Sequence, residues 1–191
     1  MKPLLLATTL AATLSAATAM AADKYTLDAS HSQVIFSYNH LGFSTTYGMF
    51  SGFEGEIMFD QENPANSSVN VSMPTVSMFT GWEQRDGHFM SADFFGASEG
   101  DMITFSSTAI EVTGDDTAQI TGDLSMNGMT KSVTLDAKLN RTGTHPMANT
   151  EWAGFDATTT LLRSDFGLGA FAPAVSDEVE VTISIEAQKA G

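Results

Sequence analysis

The sequence predicts an all-β protein, either an antiparallel sandwich or a closed barrel, interrupted once by a short helix. Three observations carry that reading. Apolar residues recur at every second position through almost everything after Asp23; turn-forming residues separate these runs at roughly regular spacing; and one stretch, residues 82–95, breaks the alternation. Strict period-two patterning over short runs marks strands with one buried and one wet face.

Taken in chain order, Val34, Phe36 and Tyr38 share the apolar face of an early strand. Phe53, Gly55, Ile57 and Phe59 then face away from Glu54 and Glu56. Val69, Val71 and Met73 alternate with Ser68, Asn70 and Ser72; Ile103 with Phe105, Ile120 with Leu124, and Val133 with Leu135 and Leu139 continue the series. Two further runs close it, Phe155, Ala157, Thr159 and Leu161, then Val179, Val181, Ile183 and Ile185. Asn63-Pro64, Gly114-Asp115-Asp116 and Asn127-Gly128 supply turns, the last with the residue pair that a type I′ hairpin requires. The sequon at Asn66-Ser67-Ser68 reads as part of a turn. About eight or nine short strands with one apolar face fit an antiparallel sandwich or barrel.

The interruption reads WEQRDGHFMSADFF. Thr80 stands three residues before Glu83, a capping-box arrangement, and the spacing predicts a helix from Gly81 to about Met90. Trp82, Arg85 and Phe89 fall near one face of it. Gly87 keeps it short, and Ser91 is placed to cap a second turn through Asp93. A helical insert between barrel strands is well placed to cover one end.

At the N-terminus, Lys2 precedes an apolar run over residues 4–14, and Ala19-Met20-Ala21 offers an A-x-A cleavage site. The expectation is a secretory signal peptide over residues 1–21, leaving one domain over residues 22–191 in a bacterial periplasm without a stable membrane anchor. The formal net charge of −15 repels nucleic acid and anionic headgroups, so neither is expected as an electrostatic partner. With no cysteine, the fold must be held by its core, and thiolate metal sites, redox pairs and cysteine nucleophiles are excluded.

The polar clusters do not assemble into a recognisable active site. The four histidines include no HExxH and no H-x-x-x-H pair, and His31 and His40 would lie about 30 Å apart on an extended strand, so no metal ligand is assigned. His145 reads as an exposed loop residue. Arg85, Asp86, His88 and Ser91 contain the residue types of acid–base chemistry, but no nucleophile elbow accompanies them and no catalytic residue is assigned. The structural reading is that Arg85 pairs with Asp93 or Asp165 and, with Asp86, pins the insert to the barrel. His88 keeps a claim to touch a ligand headgroup. Arg163-Ser164-Asp165-Phe166-Gly167-Leu168-Gly169 marks a sharp bend where the chain leaves a strand.

HSQVIFSYNHLGFSTTYGMFSGFEGEI, RDGHFMSADFF, ITF, GDLSMNGMTKSVTL, AGFDATTTLLRSDFGLG and VSDEVEVTISIEA occur in the order of one family, and over residues 25–187 the chain resembles the YceI-like proteins. The resemblance implies a lipocalin-like antiparallel β-barrel of about eight strands around a long apolar cavity. It also implies a long-chain isoprenoid, isoprenoid quinone-like or other amphiphilic lipid as ligand, with no further cofactor and no universal enzymatic activity. Met49 stands where the family usually has a basic residue and Phe89 where it usually has Leu. On this footing Phe36, Tyr38, Phe50, Phe53 and Leu161 are candidates for the cavity wall, and Trp82, His88, Phe89 and Phe94 for its mouth. Strand register decides which of them face inward. Two rival readings are a lipid-modifying enzyme using His88 and Asp86, and a stress-response interaction barrel with adventitious lipid. A strand edge or exposed aromatic patch could support a homodimer.

Overall fold

The computed structural model describes residues 22–191; the predicted signal segment lies outside them. Ten strands follow one another: β1 (Asp23–Leu27), β2 (Gln33–His40), β3 (Ser44–Phe50), β4 (Glu54–Phe59), β5 (Ser68–Pro74), β6 (Met102–Gly114), β7 (Thr117–Met126), β8 (Met129–Thr144), β9 (Glu151–Leu162) and β10 (Glu178–Lys189). One α-helix, α1 (Glu83–Met90), stands between β5 and β6. The sheet is antiparallel throughout, and eight strands close a ring in the order β1-β4-β5-β6-β7-β8-β9-β10, with β10 returning to β1. Closure leaves no edge in the ring, and its staggered strands enclose a lumen. Among the described residues no helix is long and apolar enough to cross a membrane.

The two extra strands are continuations. β10 pairs with β1 at Leu27↔Ala187 and with β2 from Gln33↔Ser184 to Ser37↔Glu180, so β1 and β2 form one line broken by a turn at 28–32. That turn is organised by Asp28, whose carboxylate accepts the Ser30 N–H at 2.9 Å, an Asx-type turn. β3 and β4 form a second broken line alongside the first. β5 pairs with β4 only as far as Glu54↔Ser72, which leaves the outer edge of β3 without a strand partner. The segment leading into α1 fills that gap: Met49 and Phe79 exchange both backbone N–H···O bonds, each 2.9 Å.

The inward faces follow the period-two pattern, displaced where the register shifts on β6 and near the end of β8. A bulge between Ser107 and Ala109 of β6 shifts its parity, so Ile103 and Phe105 above it and Ile110 and Val112 below it all line the lumen. Asn127 and Gly128 both take positive φ, 51° and 70°, as the type I′ hairpin joining β7 to β8 demands. The bend after β9 is a 3-10 turn over Arg163–Phe166 ended by Gly167 in the left-handed region.

The helix starts later than its capping signal predicts. Gly81 takes φ +79° and turns the chain aside, so Trp82 becomes the N-cap and offers no side-chain bond. Thr80 does not cap through Glu83; its hydroxyl and its N–H donate to Asp86 Oδ1 at 2.5 and 2.9 Å. Packing is uneven around the ring. Tyr25, Ile57, Phe59, Ala153 and Ala187 form a dense core on the β1–β4–β10 side, where Phe59 meets Tyr25 and Phe155 edge-on at 5.9 and 5.3 Å. Across the lumen Ile120, Leu135 and Ala137 point inward yet are only half-buried, because they face open space.

Candidate functional site

That open space is a cavity of about 1170 Å³, running from a rim at Leu41, Trp82 and Phe171 to the β6–β7 hairpin at Asp115 and Asp116. It exceeds the roughly 300–1,000 Å³ of a pocket built for a drug-sized ligand. Its wall is mostly aliphatic and aromatic, with Val34, Val71, Ile103, Leu124, Val181 and Ile183 among the contributors, and polar residues such as Gln61, Asp115 and Lys138 lie toward its far end. No side-chain N or O atom buried among the described residues lacks a hydrogen-bond partner, so no unmet polar group calls for a matching headgroup inside.

Two glycines keep the wall thin. Gly48 sits opposite Phe36 in the β2–β3 register, and a methyl group on it would lie 2.2 Å from Phe36 Cζ. On β7, a methyl on Gly122 would lie 2.4 Å from Phe105 Cζ. Each ring therefore lies flat across a neighbouring strand instead of projecting into the lumen. The pairing is a sequence signal only once register is known, which is why the alternation alone does not reveal it.

Every sequence candidate lies on the lining. Phe36 and Tyr38 of β2, Phe50 of β3, Phe53 in the β3–β4 break and Leu161 of β9 form wall; Trp82, His88, Phe89 and Phe94 border it from the insert. Aromatic contacts stitch the insert to the barrel, Tyr38 to Phe89 at 6.2 Å, Phe50 to Phe95 at 6.4 Å and Phe94 to Phe171 at 6.2 Å, while Phe89 meets Phe94 at 5.0 Å within the insert. All but the tilted Phe94–Phe171 pair meet edge to face, a geometry that suits aromatic rings.

The polar candidates work differently from expectation. Arg85 meets neither Asp93 nor Asp165. Its Nε donates to Thr80 Oγ1 at 2.8 Å and an NH2 group to Thr80 O at 2.7 Å, so Arg85 and Asp86 clasp Thr80 from two sides and shape the insert itself. Attachment to the barrel comes instead from the aromatic contacts and from the Met49–Phe79 backbone bonds, which the otherwise unpaired β3 edge accepts. Asp93 lies 3.4 Å from His88 Nε2. Asp165 sits exposed on the 3-10 turn. Ser91 Oγ donates to the His88 carbonyl at 2.7 Å, so Asp86, His88 and Ser91 point to three different partners and form no relay.

The residue that sequence reasoning missed is Arg163, at the end of β9. Its guanidinium donates to the carbonyls of Leu168 (2.5 Å), Ala170 (3.2 Å), Val175 (3.1 Å) and Ser176 (2.9 Å), holding the 168–176 loop over the cavity mouth. Burial pushes its pKa below the usual arginine value, against the field of Asp177. Asp177 is held below the usual carboxylate range first by the Ser164 hydroxyl, which donates to it at 2.5 Å. Only carbonyl acceptors far apart in sequence reveal this role, and sequence carries no signal for them. His145 also differs from expectation, half-buried and stacked on Trp152 with centroids 4.7 Å apart.

Outside the barrel, Asp28, His31 and Glu186 bring one ligand atom each within 4.8 Å of the others. Glu186 is distant in sequence, so the pattern is invisible before folding. The His31 Nδ1–Asp28 Oδ2 contact of 2.6 Å accounts for the closeness of the first two; it raises the His31 pKa, and with the Ser30 hydroxyl, the larger cause, lowers that of Asp28.

Residues 25–187 match the family model of the YceI-like domain. The chain is 42% identical over 188 residues to Protein YceI of Escherichia coli O157:H7, covering 97% of both chains. Among solved structures, BcnA of Burkholderia cenocepacia superposes with a TM-score of 0.75 at 24% identity, covering 84% of this chain and 98% of BcnA. A polyisoprenoid binding domain from Saccharophagus degradans, implicated in plant cell wall breakdown, superposes with a TM-score of 0.68 at 15% identity, covering 87% of this chain and 98% of that domain.

Proposed function

The chain belongs to the YceI-like family, and from that premise we propose that its barrel binds a long isoprenoid or similar amphiphilic lipid, sequestering or ferrying it through the periplasm. The observation that carries this reading is the cavity: about 1170 Å³, continuous from rim to far hairpin and walled mostly by apolar side chains. Hydrocarbon placed there gains roughly 25 cal/mol per Å² of apolar surface removed from water, about 0.8 kcal/mol per buried CH₂. Binding strength then grows with chain length and needs no specific polar contact. The shared fold with a domain described as polyisoprenoid binding supports the same class of ligand.

The role of the protein is binding rather than catalysis. Asp86 is engaged with Thr80 and Ser91 with a backbone carbonyl, and the carboxylate nearest His88, Asp93 at 3.4 Å, is solvent-exposed, so none of the three assembles with His88 into a base and nucleophile pair. A titration series separates the possibilities. Polyprenols of one headgroup and increasing length should bind about tenfold or more tightly per added isoprene unit until the lumen is full. Exchanging the headgroup at fixed length should change affinity by less than about tenfold. Affinity indifferent to chain length would overturn the reading.

A further inference from the structure

The large apolar side chains left exposed are distributed unequally between the two ends of the barrel. At the cavity mouth Leu41 is 49% exposed, Phe43 88%, Trp82 55% and Phe171 64%. At the opposite end, among the described residues, only Val112 and Met147 are comparable. The mouth residues come from three segments that fold together. The β2–β3 hairpin leans on the 168–176 loop through the Leu41 N–H, which donates to Ala174 O at 3.1 Å, and that loop's Phe171 meets Phe94 of the insert. Leu41 and Phe171 both hold positive φ, 57° and 65°, a conformation that bulky residues avoid at a cost of about 1–2 kcal/mol per residue. Neither strained side chain buries itself; both are turned outward around the opening. Arg163 then locks the loop that displays one of them.

We propose that this rim docks on the surface of a lipid bilayer, with Leu41, Phe43, Trp82 and Phe171 entering the headgroup layer, so that an apolar chain passes between membrane and cavity without crossing water. The inference rests on the lipid-binding reading. The cavity reaches the surface within the patch, where the exposed Leu41, Trp82 and Phe171 also line it, and a bilayer is where a chain of that chemistry resides. Charge selects the kind of surface. The insert beside the rim carries five acids (Glu83, Asp86, Asp93, Glu99 and Asp101) against the single cation Arg85, whose N–H groups are turned to Thr80. Two copies set mouth to mouth would bring these acids together, and an anionic bilayer would be repelled. Zwitterionic headgroups leave apolar insertion as the driving force, which makes docking insensitive to salt.

The two tryptophans give the test its internal control, since Trp82 stands at the rim and Trp152 at the far end, beside His145. Single-tryptophan proteins, Trp152→Phe and Trp82→Phe, are mixed with phosphatidylcholine vesicles bearing brominated acyl chains. Trp82 emission should fall at least about twofold and Trp152 emission should not change, at low and high salt alike. Phe43→Asp should weaken vesicle partitioning at least about tenfold. Phe43 does not line the cavity, so binding of a polyprenol added from ethanol should stay within about twofold. Unquenched Trp82 in a protein that still binds the polyprenol overturns docking and leaves the lipid-binding reading standing. A vesicle-independent dimer that Phe43→Asp dissociates also overturns it, by assigning the rim to a second copy. Failure to bind any polyprenol removes the reading itself and the docking proposal with it.

Discussion

Gly48→Ala tests whether the lumen depends on aromatic rings lying flat against the wall. The added methyl would stand 2.2, 2.6 and 3.0 Å from Phe36 Cζ, Cε1 and Cε2, and no backbone atom is closer. Carbon atoms at rest sit about 3.5–4.0 Å apart, so the ring tip must retreat by about 1.3–1.8 Å. The wall behind it is paired strand, and the free direction is the cavity. Overpacking of this kind costs about 1–3 kcal/mol, which in a protein of this size lowers Tm by roughly 2–12 °C. The displaced ring also narrows the upper lumen and weakens binding of the longest chains most. Thermal unfolding of Gly48→Ala, Phe36→Leu and the double variant measures the coupling. The double variant should be more stable than the sum of the two single effects by at least about 1 kcal/mol, because the smaller side chain makes room for the methyl. Additive effects, or a Gly48→Ala protein that melts and binds like the original, would show that Phe36 does not lie on Gly48 and that the wall is built another way.

Other parts of the structure make independent predictions. Ile120→Trp places bulk in a half-buried position facing open space; Tm should hold within about 2 °C while the preferred chain length shortens, read by titration with polyprenols of graded length. Arg163→Met leaves the carbonyls of Leu168, Ala170, Val175 and Ser176 without their donor and should cost about 2–4 kcal/mol, with amide exchange rising across residues 168–176 before the strands. The Asp28–His31 pair sets a pH window. His31 is raised by Asp28, so its contribution is complete below the free value of about 6.5 and is lost as pH rises through the folded value. Asp28 is lowered by Ser30 and His31, so its contribution is complete above about 3.9 and is lost as pH falls through the folded value. An NMR titration should find His31 raised, and returned toward its ordinary value by Asp28→Asn.

Much of the fold was legible because the alternation is strict. The inward sets on β2, β4, β5, β9 and β10 follow directly from period two, and Asn127-Gly128 announced its hairpin by residue type alone. The β6 bulge was not legible, since an extra residue changes which face Ile110 and Val112 take without altering composition. The insert illustrates a competition among caps. Thr80 and Glu83 have the spacing of a capping box, yet Gly81 turned the chain and Asp86 reached Thr80 instead. Arg85 likewise found a hydroxyl and a carbonyl five residues away before any distant carboxylate. Phe36 and Tyr38 could be named from sequence because they sit on a strand of clear parity, whereas Phe53 falls in the β3–β4 break. Arg163 could not, because its role depends on four backbone carbonyls that only the folded loop brings together.

The central claim is that the lumen holds a long apolar chain in the cell. It is tested most directly by native mass spectrometry of protein purified from its own host's envelope, followed by organic extraction. The account predicts a mass excess that disappears on extraction and a recovered lipid with a long isoprenoid or acyl chain, displaced in proportion by Ile120→Trp. A protein that emerges at its bare mass, or carries only small polar molecules, would contradict it.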